Sequence, residues 1–172
     1  MIKKTKFKDL VLINNVSFKD KRGYFMELLK EKNLNRKFPF LVMSFSKKNV
    51  IRGLHLQTRN SQGKFISVIK GKIFDVVVDL RKKSKTYGKV FKKIINSKNL
   101  LAVYIPKGFV HGVVVLESNT TIINLCSSGY NPKKEFGINV KSINLNIPKM
   151  KMYFSKKDKN LIELKNYIKK SK

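Results

Sequence analysis

Apolar residues in this chain come in short runs rich in β-branched side chains, at positions 10–14, 40–45, 65–69, 73–80, 90–95, 101–105, 113–116 and 121–125. Turn-forming stretches such as Lys70-Gly71-Lys72, Tyr87-Gly88 and Pro106-Lys107-Gly108 separate them. Valine and isoleucine are stiff at χ1 and pack well on a pleated surface, and regular punctuation by turns leaves no room for long helices. The pattern therefore predicts an all-β sandwich or barrel. Helical spacing occurs in only two places: a short segment near 25–35 (Met26, Leu28, Leu29, Leu34), and 159–170 (Leu161, Ile162, Leu164, Tyr167, Ile168). Both are expected to decorate a β core.

At 172 residues and 42% hydrophobic, the chain can fill one core, and a single domain over 1–172 is expected. The formal charge is +29, yet only five of the basic residues are arginine, and the lysines are spread from Lys3 to Lys172. Nucleic-acid binders concentrate charge and favour arginine for bidentate contacts, so the excess reads as a solvated basic surface rather than a nucleic-acid interface. A small polyanionic ligand would still be attracted. The lone Cys126 excludes an intramolecular disulfide, and its strand-like setting reads as a small packed residue. No apolar run reaches the roughly 18 residues of a membrane span, and the N-terminus lacks the apolar stretch of a signal peptide. A cytoplasmic protein is expected, with no membrane partner.

Chemistry enters through the only two histidines, in Arg52-Gly53-Leu54-His55-Leu56-Gln57 and Ile105-Pro106-Lys107-Gly108-Phe109-Val110-His111-Gly112. Imidazole titrates near neutrality, which suits it to carry protons. A two-His-one-carboxylate metal site would need both histidines and an acid, and no His-x-His pair is present. General acid–base work fits better: proton removal next to a carbonyl needs a tuned base, a carboxylate to orient it and a cation for the enolate oxygen. His55, an aspartate and Lys64 supply these types; the alternative is that both histidines are satisfied polar residues at strand ends. In the run 73–81, alternation sets Asp75, Val77, Asp79 and Arg81 on one face, which is either solvent or a polar barrel lining.

Several motifs, in order, resemble the dTDP-4-dehydrorhamnose 3,5-epimerase family: Asp20-Lys21-Arg22-Gly23-Tyr24-Phe25-Met26-Glu27, Arg52 to Gln57, Gln62-Gly63-Lys64, Gly71 to Arg81, Ser84 to Gly88, Ile105 to Gly112 and Ser155-Lys156-Lys157-Asp158. The resemblance runs from about residue 5 to about 165. It implies a cupin-type double-stranded β-helix, or jelly roll, with short peripheral helices. It also implies a homodimer working without metal or organic cofactor on a nucleotide-linked 4-keto-6-deoxysugar, dTDP-linked in the first instance. By that resemblance His55 is the base, Asp158 its carboxylate partner and Lys64 the cation for the enolate, with Arg52, Gln57, Asp75 and His111 lining the substrate site. Arg22, Phe25 and Glu27 correspond to a segment that reaches a nucleotide in the neighbouring subunit, and Tyr130 to a tyrosine near the nucleotide.

Departures from the family pattern matter. Thirteen residues past His111 the family carries an acid tyrosine, and this chain has Asn124, whose amide cannot donate a proton as an acid. Three readings stay open: epimerisation of one carbon only, another donor such as Tyr130 or water, or a catalytically impaired sugar-nucleotide binder. A nucleotide-sugar 3,4-ketoisomerase is a further alternative on the same fold. Phe40-Leu41-Val42 replaces a Gln-x-Asn pattern, which opens the question of which base the nucleotide carries. Val140 and Ile147 stand where the family has tryptophan, which reads as tolerated core drift.

Overall fold

The computed structural model describes residues 1–147 and 150–171. In chain order the strands are β1 (Ile2–Lys4), β2 (Val11–Asn14), β3 (Ser17–Asp20), β4 (Gly23–Met26), β5 (Phe40–Ser46), β6 (Ile51–Gln57), β7 (Lys64–Lys70), β8 (Lys72–Asp79), β9 (Val90–Asn96), β10 (Leu101–Ile105), β11 (Phe109–Val115), β12 (Thr120–Cys126) and β13 (Glu135–Gly137). Three short helices, α1 (Glu31–Leu34), α2 (Lys156–Lys159) and α3 (Leu164–Ser171), lie at the periphery. Strands pair antiparallel into a six-stranded sheet, order β1-β2-β10-β7-β12-β5, and a five-stranded sheet, order β13-β6-β11-β8-β9, while β3 and β4 form a separate hairpin. Two antiparallel sheets that trade strands in this order form a jelly roll, as expected.

Alternation along each strand explains where the core sits. Leu12, Ile66, Val68, Val77, Val103 and Val113 belong to one cluster between the sheets. The opposite face of β8 (Phe74, Val76, Val78) is also buried, under Ile138, Val140, Ile143 and Leu145 of the C-terminal segment. On the outside of the six-stranded sheet, Ile13, Phe65, Ala102 and Tyr104 are covered by Phe38 and the segment bearing Leu28, Leu29 and Leu34. Both faces of the central strands are therefore dry, which is why β8 reads as a near-continuous apolar run. It also settles which face carries the aspartates: Asp75 and Asp79 point into the barrel and are fully buried. At the barrel's end, burial would raise the Asp79 carboxyl, but bonds from Arg81, Ser84 and Thr86 outweigh it and hold the group below its usual range.

All eight apolar runs lie in strands, with ends shifted by a few residues. The helix expected near 25–35 is only the single turn α1, because β4 already occupies 23–26; that at 159–170 begins five residues later, at Leu164. Neither histidine sits at a strand end. His55 lies within β6 and His111 within β11, and the two are direct cross-strand partners.

Candidate active site

β6 and β11 position the site through an irregularity. His111 pairs with His55 and Val113 with Arg52, so three steps along β6 match two along β11: a β-bulge. In a regular strand, residues 52 and 55 would face opposite sides of the sheet; the extra residue turns both side chains into the same cavity. Gly53 makes this possible, with φ +104 in a region that L side chains rarely adopt. A Cβ on it would stand 2.7 Å from the carbonyl oxygen of His111, and one on Gly112 would stand 2.5 Å from that of Arg52. The strands approach this closely only because both positions are glycine.

The cavity has an inner chamber of about 190 Å³ that opens into an outer groove of about 680 Å³. Arg52, His55, Gln62, Lys64, Asn124 and Tyr130 line both. His55 Nε2 lies 2.7 Å from Asp158 Oδ1, and the Asp158 side chain is 5% exposed. An ionised carboxylate only accepts, so Nε2 carries the proton and Nδ1 is left with its lone pair. Burial lowers the pKa of His55 below the usual 6.5 and Asp158 pushes the other way, so the ring is neutral and basic near neutral pH. Asp158 owes its place to α2, where Ser155 Oγ accepts a hydrogen bond from its backbone N–H.

Lys64 projects into the cavity from β7 in the facing sheet, and desolvation lowers its pKa. Arg52 Nε donates to Ser46 Oγ at 2.8 Å, and Nη2 donates to the carbonyl of Phe45. A second histidine–aspartate pair lies deeper, with His111 Nε2 2.6 Å from Asp75 Oδ1. Asp75 itself stands behind His111 rather than in the cavity lining. Gln57 lines the inner chamber but uses its amide to brace the turn at Asn60 and Gly129 and the N–H of Asn131. Asn124 is on the wall facing His55. Arg22, Phe25 and Glu27 lie outside the cavity, on and just after the β3–β4 hairpin.

One participant was not singled out from the sequence. Glu135, on β13, has Oε1 3.4 Å from His55 Nδ1, accepts a hydrogen bond from Tyr130 Oη at 3.1 Å and is paired with Lys157. No motif announces it, since its role depends on β13 pairing with β6, which brings residues about eighty positions apart into contact. Among the described residues no group of three or more His, Cys, Asp and Glu side chains is placed to hold a metal ion.

A jelly roll whose cavity sets a neutral, carboxylate-backed imidazole across from a partly buried ammonium defines a cupin-type enzyme equipped for acid–base chemistry rather than a structural barrel. A family model described as dTDP-4-dehydrorhamnose 3,5-epimerase matches residues 4–166. The chain belongs to the dTDP-4-dehydrorhamnose 3,5-epimerase family, a family of isomerases. It is 36% identical over 166 residues to dTDP-4-dehydrorhamnose 3,5-epimerase of Shigella flexneri, covering 91% of this chain and 92% of that protein. Against the enzyme of the same name from Neisseria gonorrhoeae it is 40% identical over 136 residues, covering 76% of this chain but only 42% of that longer protein. A dTDP-6-deoxy-D-glucose-3,5-epimerase from Legionella pneumophila Philadelphia 1, solved in complex with dTDP-4-keto-L-rhamnose, superposes with a TM-score of 0.89. Its sequence is 34% identical, over 96% of this chain and 93% of that one.

Proposed function

We propose that this protein epimerises a dTDP-linked 4-keto-6-deoxysugar by general acid–base catalysis, as one domain and with no cofactor. The observation that carries the reading is the 2.7 Å contact between His55 and Asp158 at the edge of a groove that also holds Lys64. A 4-keto group acidifies the C–H bonds at C3 and C5. His55 Nδ1 takes one of these protons, and Asp158 holds the ring and stabilises the imidazolium that results. The electron pair left behind passes to the carbonyl oxygen, where the Lys64 ammonium meets the enolate. That cation is partly buried, and the desolvation that lowers its pKa also reduces the water available to screen it from the enolate.

Arg52 and His111 complete the polar lining around the sugar and its diphosphate. Asn124 stands where the family carries its acid tyrosine, and on that ground the reaction inverts a single carbon. The nucleotide end is completed by a second copy of the chain, whose hairpin brings Arg22, Phe25 and Glu27 to the groove. In this reading the protein is a cytoplasmic homodimer.

The test is incubation with dTDP-4-keto-6-deoxyglucose in D₂O, with the label located by NMR. Deuterium should enter at C3 or C5, and His55→Ala and Asp158→Asn should slow its entry by roughly 10²–10⁴-fold. Undiminished exchange in both variants would sink the proposal. A product whose carbonyl has moved from C4 to C3 would show a ketoisomerase instead.

A further inference from the structure

If His55 takes a proton from one face of the sugar, inversion needs a donor on the other. Asn124 cannot serve. Tyr130 is a candidate by type, but its hydroxyl shares the Glu135 carboxylate with His55, which puts it on the same side as the base. The opposite wall is built by the facing sheet. Two residues beyond Asn124 on β12, and so on the same face of that strand, comes Cys126. It pairs with Lys64 on β7 and Phe40 on β5, and lines the outer groove opposite His55 and Asp158.

We propose that Cys126 is the acid that delivers a proton to the sugar face opposite His55, replacing a phenol at position 124 with a thiol one strand pitch away. The inference rests on the epimerase reading above. A C–H bond next to the ketone breaks toward His55, and the electron pair becomes the enolate held by Lys64. The S–H bond of Cys126 then breaks, and its proton forms a new C–H bond on the far face as the enolate collapses to the ketone. The imidazolium and thiolate left behind are reset by proton exchange with water in the open groove.

The setting suits such an acid. Cys126 is 4% exposed, with Phe40 and Val42 beside it, and burial raises the thiol's pKa, so it stays protonated at working pH. Lys64 opposes that shift through its charge, which is the interaction that would stabilise the thiolate once the proton has gone. Moving the donor about 6.6 Å along the strand shifts which carbon it can reach, in keeping with inversion at one centre rather than two.

The experiment follows wild type, Cys126→Ser and Cys126→Ala in D₂O with dTDP-4-keto-6-deoxyglucose and reads two quantities: the rate of label entry, and the fraction of labelled carbons that are inverted. Wild type should invert as it labels. Both variants should keep labelling, because His55 returns a deuteron to the face it took a proton from, while the inverted fraction falls at least about a hundredfold. A purely structural role would slow labelling and inversion together in Cys126→Ala and spare the near-isosteric Cys126→Ser. An inverted fraction in Cys126→Ser equal to wild type overturns the proposal, whatever Cys126→Ala does, as does labelling without inversion in the wild type. Absence of any label in the wild type would instead remove the epimerase reading itself.

Discussion

At the scale of single residues, the site works by setting burial against charge. Desolvation keeps His55 in its neutral, proton-accepting form to lower pH than a surface histidine, and Asp158 limits how far the shift goes. In the proposed mechanism the base is the neutral ring, so activity should persist as pH falls until the lowered pKa is reached. The acid limb of kcat/KM should have its midpoint below 6.5, and an NMR titration of the His55 ring should give the same midpoint. In Asp158→Asn the ring loses the partner that favours its charged form, so that titration should move lower still. A limb above 6.5 would contradict the assignment of His55 as a base desolvated in this groove. Residue types were the most legible part of the site. Two histidines and a lysine in compact motifs could be named from the sequence, but Glu135 could not, because nothing near it in the chain marks it. Cys126 read as a packed residue, and it is buried; what the sequence could not show is that the face it packs on borders the groove.

At the scale of elements, the bulged pairing of β6 with β11 is the critical joint. Eight strands announced themselves through β-branched runs, yet β6 did not, because a strand that carries Arg52, Gly53, His55 and Gln57 for chemistry has little room for valine and isoleucine. The helix expected over 25–35 is reduced to α1 for a related reason: Met26, Leu28, Leu29 and Leu34 do recur at helical spacing, but Leu28 and Leu29 lie outside the one helical turn and, with Leu34, are partly buried by packing under the six-stranded sheet. Gly112→Ala should expose the joint directly. Its Cβ would meet the Arg52 carbonyl at 2.5 Å and Leu54 Cδ2 at 2.6 Å. The overpacking should cost about 1–3 kcal/mol and lower Tm by several degrees, with a loss of deuterium exchange as both histidines shift. Gly129→Ala, which meets nothing within 4 Å, should leave Tm unchanged. Equal melts for the two variants would mean that the bulged pairing tolerates more than its geometry allows.

At the scale of the whole molecule, one surface stays unexplained by a single chain. The outer face of β5 shows Leu41, Met43 and Phe45 at 61%, 67% and 57% exposed, and the hairpin adds Phe18 at 61% and Phe25 at 66%. Apolar exposure on this scale, on an edge strand, marks an interaction surface. Sedimentation should therefore give the mass of two 20.0 kDa chains. Met43→Lys should shift the protein toward monomer and raise KM for the nucleotide sugar, because Arg22, Phe25 and Glu27 would no longer reach a neighbouring groove. A wild-type monomer with full activity would refute the arrangement. The formal charge of +29 adds a long-range field that favours an anionic diphosphate without specifying it. Periodicity and punctuation determined the all-β class, since the alternation of side chains is a local property of each strand. Which face of β8 looked inward, how Arg52 and His55 come to share one cavity and which carboxylates meet the histidines were decided only by tertiary structure. Those contacts join residues up to about a hundred positions apart, and their register depends on a single bulge at Gly53 that no local pattern encodes.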